Sequence, residues 1–338
     1  MKAAVHTRYG PPDVVRIADV DKPAAKEHEL LVKVHATTVN RTDCGFLSGK
    51  PFIVRFFSGL LKPKATVLGC EFAGVVEAVG TDVMSFEVGD KVFGFSEWRF
   101  GAHAEYLTMP EDGSLATMPA NATFEEAACA TEGSHYALSM ITKAKIRSGQ
   151  HVLVNGATGA IGSAAVPLLK RLGVVVTAVC GTEHVELVRG LGADRVIDYT
   201  AEDFTKDDQT YDVVIDAVGK SSFGRCRRLL KPRGIYVSSD LGFLAQNPIL
   251  ALKTPLFGGK NVLFPIPPKY DQARVKGFKE MIESGEFKPV IDRRYRLDQI
   301  VEAYTYVETG QKIGSVVITV DRGIKQVPRD SNGSSDIA

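Results

Sequence analysis

The stretch VLVNGATGAIG, Val152–Gly162, constrains the fold more than any other part of the chain. A β-branched run feeds a glycine-rich turn, and the turn opens an apolar helix. Aligned to the G-x-G-x-x-G pattern of dinucleotide sites, the first glycine becomes Ala157, followed by Gly159 and Gly162. A small first residue still permits the tight turn. Gly159 lets backbone N–H groups approach a pyrophosphate, and Gly162 lets the helix lie close on the sheet. The helix N-terminus turns unpaired donors and a positive dipole end toward that phosphate. Beyond Leu172 strands and helices alternate: VVVTAVC (Val174–Cys180), a helix over His184–Leu191, DVVIDAV (Asp212–Val218), a helix over Ser221–Leu230, and GIYVSS (Gly234–Ser239). Nearly continuous apolar strands between helices predict a buried parallel sheet, and right-handed crossovers make it a doubly wound, Rossmann-type α/β domain.

The flanking sequence has a different character. Up to Pro119 it reads as strands and turns, with LLVKVHATTV (Leu30–Val39), GVVEAVG (Gly74–Gly80) and VGDKVFGF (Val88–Phe95) predicting a small antiparallel barrel. Thr123 and Glu126 form a capping pair that starts a helix running to about Lys145. After Pro265 come helices over Asp271–Ser284 and Leu297–Thr309 and the strand SVVITV (Ser315–Val320), which fold back on the first domain. The expected boundaries are 1–122, 123–266, 267–321 and a polar, disordered tail 322–338. Val152–Leu169 is uncharged and long enough for a membrane span, but Asn155, Thr158 and Pro167 make it a buried strand and helix instead. The 41 basic and 40 acidic residues leave a formal charge of +1 and no global field for nucleic acid. Five scattered cysteines without a CxxC fit a reduced compartment, and MKAAVHTRYG resembles neither a signal nor a transit peptide; the expectation is cytoplasmic.

The end of the second Rossmann strand selects the cofactor. Where NAD sites carry a carboxylate for the ribose 2′-OH, this chain has Cys180, then Gly181 and Thr182. That favours NADPH, with Thr182 and backbone N–H groups as phosphate donors. Glu183 argues the other way, and His184 and Arg189 are the nearby basic groups. The candidate cofactor contacts are Arg41, Ser134, Thr158, Gly159, Ala160, Ile161, Gly181, Thr182, Tyr199, Val218, Leu241 and Phe264.

Six motifs in order carry a resemblance over residues 1 to about 320. They are VNRTDCGFLSG (Val39–Gly49), LGCEFAGVVEAVG (Leu68–Gly80), FEVGDKVFGF (Phe86–Phe95), VLVNGATGAIG, LGADRVIDY (Leu191–Tyr199) and KPVIDRRYRLDQIVEAY (Lys288–Tyr304). Together they resemble the medium-chain dehydrogenase/reductase superfamily and its zinc-independent quinone oxidoreductase branch. The resemblance implies a GroES-like β-barrel catalytic domain plus a Rossmann domain, dimeric through the Rossmann sheet edge. Zinc members bind catalytic metal through Cys, His and Cys; the matching positions here are Asn40, Cys70 and Ala130. One candidate ligand cannot make a zinc site, which needs three protein ligands. The four cysteines of a structural zinc are also missing between Cys70 and Cys129. The expectation is no metal, with Glu71 and Asp43 holding that site together by hydrogen bonds.

Without a Lewis acid, alcohol oxidation is disfavoured, while an electrophilic quinone or α,β-unsaturated carbonyl still accepts hydride. The resemblance puts Asn40 beside the nicotinamide and makes Thr42 the hydroxyl that relays protons; the bland alternatives are a turn-forming Asn and a Thr capping a strand end. Arg41 would reach the pyrophosphate or stand on the surface, and Ser134 matches a threonine near the nicotinamide. The tyrosine that several quinone oxidoreductases place by the substrate is Gly45 here, so no proton donor carries over and solvent is the simpler source. Cys44 has no neighbouring base and reads as structural. The segment Phe46–Ala65 interleaves aromatics with Lys50, Arg55, Lys62 and Lys64, and can line an apolar pocket, touch a membrane surface or pack as a lid. The function expected is NADPH-dependent hydride transfer to a quinone or enone. An enoyl-thioester reductase and a NADPH-binding interaction or structural protein stand as alternatives.

Overall fold

The computed structural model describes residues 1–96, 99–266 and 268–320; the tail expected at 322–338 lies outside them. In the N-terminal part the elements are β1 Lys2–Val5, β2 Arg16–Asp19, β3 Glu29–Val39, α1 Arg41–Ser48, α2 Val54–Ser58, β4 Glu71–Val79, β5 Lys91–Phe95, β6 Tyr106–Pro110 and β7 Leu115–Thr117. Next come α3 Phe124–Ala128, α4 Glu132–Lys143, β8 His151–Asn155, α5 Ala160–Arg171, β9 Val175–Cys180, α6 Val185–Gly190, β10 Arg195–Asp198, β11 Tyr211–Asp216, α7 Phe223–Cys226 and β12 Leu230–Ser238. The remainder is α8 Gln246–Lys253, β13 Asn261–Leu263, α9 Gln272–Glu283, β14 Ile291–Arg296, α10 Ile300–Glu308 and β15 Ser315–Thr319.

The apolar strands β8 to β13 form a six-stranded parallel sheet in the order β10-β9-β8-β11-β12-β13. Chain order runs outward from β8 to one edge, then from β11 to the other. The two halves part between β8 and β11, the switch point at which such sheets bind ligands. The stretch Val152–Leu169 is β8, the glycine turn and α5, and among the described residues no helix is long and apolar enough to cross a membrane. A second, seven-stranded sheet has the order β14-β15-β3-β4-β5-β7, with β6 also paired to β3. Strand β15 lies antiparallel to β3, so the returning chain completes this sheet. One apolar cluster joins Ala36, Ala73 and Phe93 of this sheet to Met140, Val154 and Ala165, so the two sheets share a core.

Three expectations change. Arg41–Ser48 is a helix, not a turn after a strand, so Thr42 lies in the first turn of α1. Its cap is formed by the Asn40 backbone N–H, which donates to Asp43 Oδ2 at 2.8 Å, and by Gly49 in the left-handed region. The helix expected from Thr123 to Lys145 is two, with the break at Cys129–Thr131. The helix expected over Ser221–Leu230 shrinks to one turn of α-helix and a 3₁₀ turn, because β12 already pairs with β11 at Leu230.

Two buried histidines lock distant elements. His103 Nε2 lies 2.8 Å from the Thr38 carbonyl and its Nδ1 3.2 Å from the Tyr304 hydroxyl, which ties α10 to β3. A ring protonated on Nε2 alone satisfies both contacts. His135 Nδ1 lies 2.7 Å from the Thr131 carbonyl. Burial pushes both rings down to about 4. The folded state therefore binds fewer protons than the unfolded one between about 6.5 and 4, and each ring's contribution is present above that window and lost as pH falls through it. An NMR titration of the imidazole nitrogens should find both rings neutral at roughly pH 5.5, where an unperturbed histidine is charged; a protonated His103 there would contradict this packing.

Candidate active site

The glycine turn occupies the switch point. Gly156 adopts φ +78°, and a methyl group on it would strike Val218 Cγ1 at 2.4 Å. The positive φ of the turn falls on Gly156, and Ala157 is fully buried core. Gly162 must lack a side chain because its Cβ would sit 2.1 Å from the Gly156 carbonyl. In front of Gly159, by contrast, a Cβ would meet nothing nearer than 3.8 Å. Gly159 is the N-cap of α5 and no side chain caps it, so the first-turn amides of Ala160 and Ile161 face open space. A pyrophosphate fits this cradle.

The other candidate contacts follow the C-terminal ends of the parallel strands. Thr158, Gly159, Ala160 and Ile161 follow β8, Gly181 and Thr182 follow β9, Tyr199 follows β10, Val218 follows β11, Leu241 follows β12 and Phe264 follows β13. They line one edge, along which an extended dinucleotide can lie. Tyr199 is largely exposed, and its hydroxyl lies 3.4 Å from where a Gly181 Cβ would stand. Thr182 is less free than its sequence suggests. Its hydroxyl donates to Asp198 Oδ2 at 2.6 Å and lies 2.7 Å from the Thr200 hydroxyl. These hydroxyls hold the Asp198 carboxyl below its ordinary range. Asp198, not Glu183 alone, thus brings negative charge to the ribose corner, while Arg189 is paired with Glu186.

The residues that match the zinc positions lie across the cleft, where α1, β4 and α4 meet. Glu71 is buried and accepts five hydrogen bonds. Oε1 takes Thr131 N–H at 2.9 Å, Thr131 Oγ1 at 2.9 Å and Glu132 N–H at 2.6 Å. Oε2 takes Thr38 Oγ1 and Asn40 Nδ2, both at 2.7 Å. The second Asn40 amide hydrogen goes to Thr38 Oγ1 at 2.9 Å, so the Asn40 amide has no N–H left for a substrate oxygen, against the expected donor role. Asp43 accepts from Asn40 N–H and Gly69 N–H, and the Cys70 thiol lies 3.7 Å from it. Burial raises the Asp43 carboxyl to about 6. Ala130 offers no ligand atom and Cys70 a single thiol, so even with the Asn40 oxygen these positions fall short of the three protein ligands a zinc ion needs. Among the described residues the group that brings three ligand atoms of His, Cys, Asp or Glu together is exposed Glu27, His28 and Asp82, on a far surface.

Thr42, half-buried, donates its hydroxyl to Glu132 Oε1. Glu132 was not legible as a site residue: it falls inside the helix expected from Thr123 to Lys145, and its partner Thr42 lies 90 positions away. Arg41 is exposed at the start of α1, and Ser134 is buried in the first turn of α4. Gly133 between them packs on the glycine loop, since a methyl there would lie 2.3 Å from the Ala160 carbonyl. From the other side the Gly314 N–H donates to the Thr158 carbonyl at 2.6 Å. The five cysteines are buried and form no disulfide among the described residues, and burial pushes the Cys44 thiol up, so it is no nucleophile. Phe46 packs on Phe100 at 4.7 Å over a cavity of about 120 Å³, whereas Phe52, Ile53, Phe56, Phe57, Leu60 and Leu61 are each more than half exposed. A separate groove of about 420 Å³ lies on Leu138, Ile141, Leu168, Phe278 and Met281, at the far ends of α4 and α5 from this site.

Comparison with known proteins agrees with this geometry. Residues 26–120 match the alcohol dehydrogenase GroES-like domain family, and residues 191–318 match the zinc-binding dehydrogenase family. A 2-methylene-furan-3-one reductase of Solanum lycopersicum is 33% identical over 94% of this chain and 79% of its own length. The chain belongs to the medium-chain dehydrogenase/reductase superfamily. An NADPH-dependent alkenal/one oxidoreductase of Arabidopsis thaliana is 32% identical over the same shares. The quinone oxidoreductase of Coxiella burnetii superposes with a TM-score of 0.84 at 26% identity, covering 95% of this chain and 99% of that one. As a member of this superfamily the chain is an oxidoreductase with a GroES-like N-terminal domain and a Rossmann-like sheet.

The Glu71 network yields a test. Glu71→Gln replaces acceptor oxygen with a donor and strands at least one buried N–H or O–H, at about 1–3 kcal/mol each. Urea unfolding should show a loss of at least that size, whereas Glu77→Gln on the same strand, at an exposed pair, should change stability by less than about 0.5 kcal/mol.

Proposed function

We propose that this chain is a zinc-independent, NADPH-dependent reductase that passes hydride to a quinone or an α,β-unsaturated carbonyl. The observation that carries the reading is the donor set at the three zinc-matching positions: an amide whose two N–H groups are both spent, one thiol beside a carboxyl and an alanine, short of the three ligands zinc needs. Such a site cannot polarise an alcohol through a metal, but it can position a hydroxyl beside an acceptor that is already electrophilic. Bound along the strand ends, a reduced nicotinamide supplies the hydride. The amides of Ala160 and Ile161 hold the pyrophosphate, with exposed Arg41 reaching toward it, and Ser134 and Tyr199 flank the nucleotide. Asn40 acts by position, because its amide orders Thr38 and Glu71. The Thr42 hydroxyl then becomes the donor to the developing oxyanion. A homodimer through the β13 edge fits the exposed Phe243, Leu244, Leu252, Leu256 and Phe257 beside it. The exposed apolar and basic residues of 50–64 suit an amphiphilic acceptor or the membrane surface that holds it.

Cofactor oxidation with alkenals, quinones and enoyl thioesters tests the acceptor class. Turnover with thioesters alone would make the chain an enoyl-thioester reductase. Tight NADPH binding with no turnover on any acceptor would favour a binding protein. NADPH is supported by the missing carboxylate at Cys180 and by the NADPH-dependent relative; Asp198 limits that preference. Asp198→Asn should tighten NADPH roughly fivefold and leave NADH nearly unchanged when each is titrated by its fluorescence. A marked loss of NADH affinity would instead show Asp198 holding the ribose 2′-OH and would sink the NADPH assignment.

A further inference from the structure

Reduction of an enone or quinone by hydride leaves an oxygen that needs a proton, and Gly45 stands where relatives carry a tyrosine. The structure offers another acid. Glu132, in the first turn of α4, is buried; Oε1 contacts the Thr42 hydroxyl, and Oε2 has no hydrogen-bond partner among the described residues. Glu71 cannot play this part, because five donors already occupy its two oxygens. Tyr304 is engaged with His103, and burial pushes the Cys44 and Cys129 thiols up. Placement also singles out Glu132. Its neighbour Gly133 packs against the Ala160 carbonyl at the first turn of α5, while Thr42, which contacts the buried acid, is itself partly exposed.

We propose that Glu132 is the proton source for the acceptor and that Thr42 passes its proton on, a step that rests on the reductase reading above. As hydride adds to the acceptor, two electrons arrive and negative charge gathers on its oxygen. The Thr42 O–H bond breaks as a new O–H forms on the acceptor. The Glu132 carboxyl O–H breaks to restore the threonine hydroxyl, and solvent reprotonates the carboxylate before the next cycle. For a quinone the second proton comes from solvent. Since a protonated carboxyl can donate through Oε1, the observed contact serves both directions.

The surrounding charges hold the acid ready. Glu71 from β4, Asp43 from α1 and Lys312 ahead of β15 all act on Glu132. Burial raises both Glu71 and Glu132, and Asp43 raises Glu132 further; the five donors on Glu71 leave the shared proton on Glu132. Lys312, whose Nζ donates to the Gly314 carbonyl at 2.5 Å, partly offsets the two carboxylates.

The test compares wild type with Glu132→Gln, Thr42→Val and Thr42→Ser, using an alkenal as acceptor. Glu132→Gln and Thr42→Val should each lower kcat about 100-fold or more. Thr42→Ser should stay within about threefold of wild type, NADPH affinity should be unchanged in all, and the double variant should be little worse than either single. Wild-type kcat should fall at high pH and the Glu132→Gln profile should be flat. Without cofactor, the infrared carbonyl band of a buried protonated carboxyl should be present in wild type at neutral pH and lost in Glu132→Gln. Full kcat in a folded Glu132→Gln, while wild type turns over, overturns the relay alone. Absence of turnover in wild type overturns the reductase reading and the relay with it. An unchanged infrared band places the proton elsewhere and overturns the assignment independently of turnover.

Discussion

The site depends on one buried carboxylate being fully hydrogen-bonded. Taking the Glu71 carboxyl out of water costs several kcal/mol, and only a complete set of donors offsets that. Its five donors come from three elements: Thr38 on β3, Asn40 at the cap of α1, and Thr131 with Glu132 at the start of α4. The carboxylate therefore fixes where α4 begins. The amides of Thr131 and Glu132 turn toward it instead of continuing the run from α3, and negative charge at a helix N-terminus is favourable. Because α4 starts there, Gly133 meets Ala160, and the phosphate cradle is held against the first domain. The pairing of β3 with β4, the start of α4 and the contact of α4 with the glycine loop thus meet at a single side chain.

The cradle itself is steric. Gly156 and Gly162 are needed because Val218 and the Gly156 carbonyl occupy the space a side chain would take. Gly159 differs, since its missing Cβ leaves open space and frees the first-turn amides of α5. The sheet then extends the site: each parallel strand ends on the same edge, so contacts far apart in sequence, from Thr158 to Phe264, form one row. On the proposed reading, selectivity at the ribose corner turns on Thr182, whose hydroxyl is spent on Asp198.

Much of this is legible in the sequence, and the limits have physical causes. The parallel strands are continuous apolar runs, and the Thr123–Glu126 capping box is a local pattern; both survive because neighbours in sequence make them. Helix α1 carried the same kind of signal in Asn40 and Asp43, three apart, but it was masked by the β-branched run before it and the glycine within it. The break between α3 and α4 has no local signal. It is made by Glu71, some sixty positions away, and periodicity cannot register a hydrogen bond of that span. The same reason hid Asp198 at the cofactor corner and the engagement of the Asn40 amide. Nothing in the sequence around Lys312 points to the two carboxyls that the fold sets near it.

On the proposed zinc-independent reading, the three zinc-matching positions point to what takes a cation's place. A divalent ion would neutralise nearby carboxylates and act on the substrate oxygen at once. In this chain those tasks are divided. Hydrogen bonds stabilise Glu71, and the backbone amides of Asn40 and Gly69 stabilise Asp43. Lys312 supplies the opposing charge from the returning C-terminal segment, two residues before Gly314 engages the Thr158 carbonyl. In the proposed relay the Thr42 hydroxyl serves the substrate oxygen, backed by Glu132. A buried carboxyl placed beside carboxylates keeps its proton at a pH where a solvated one has lost it, so on that reading the crowding is the reason an acid is available at neutral pH.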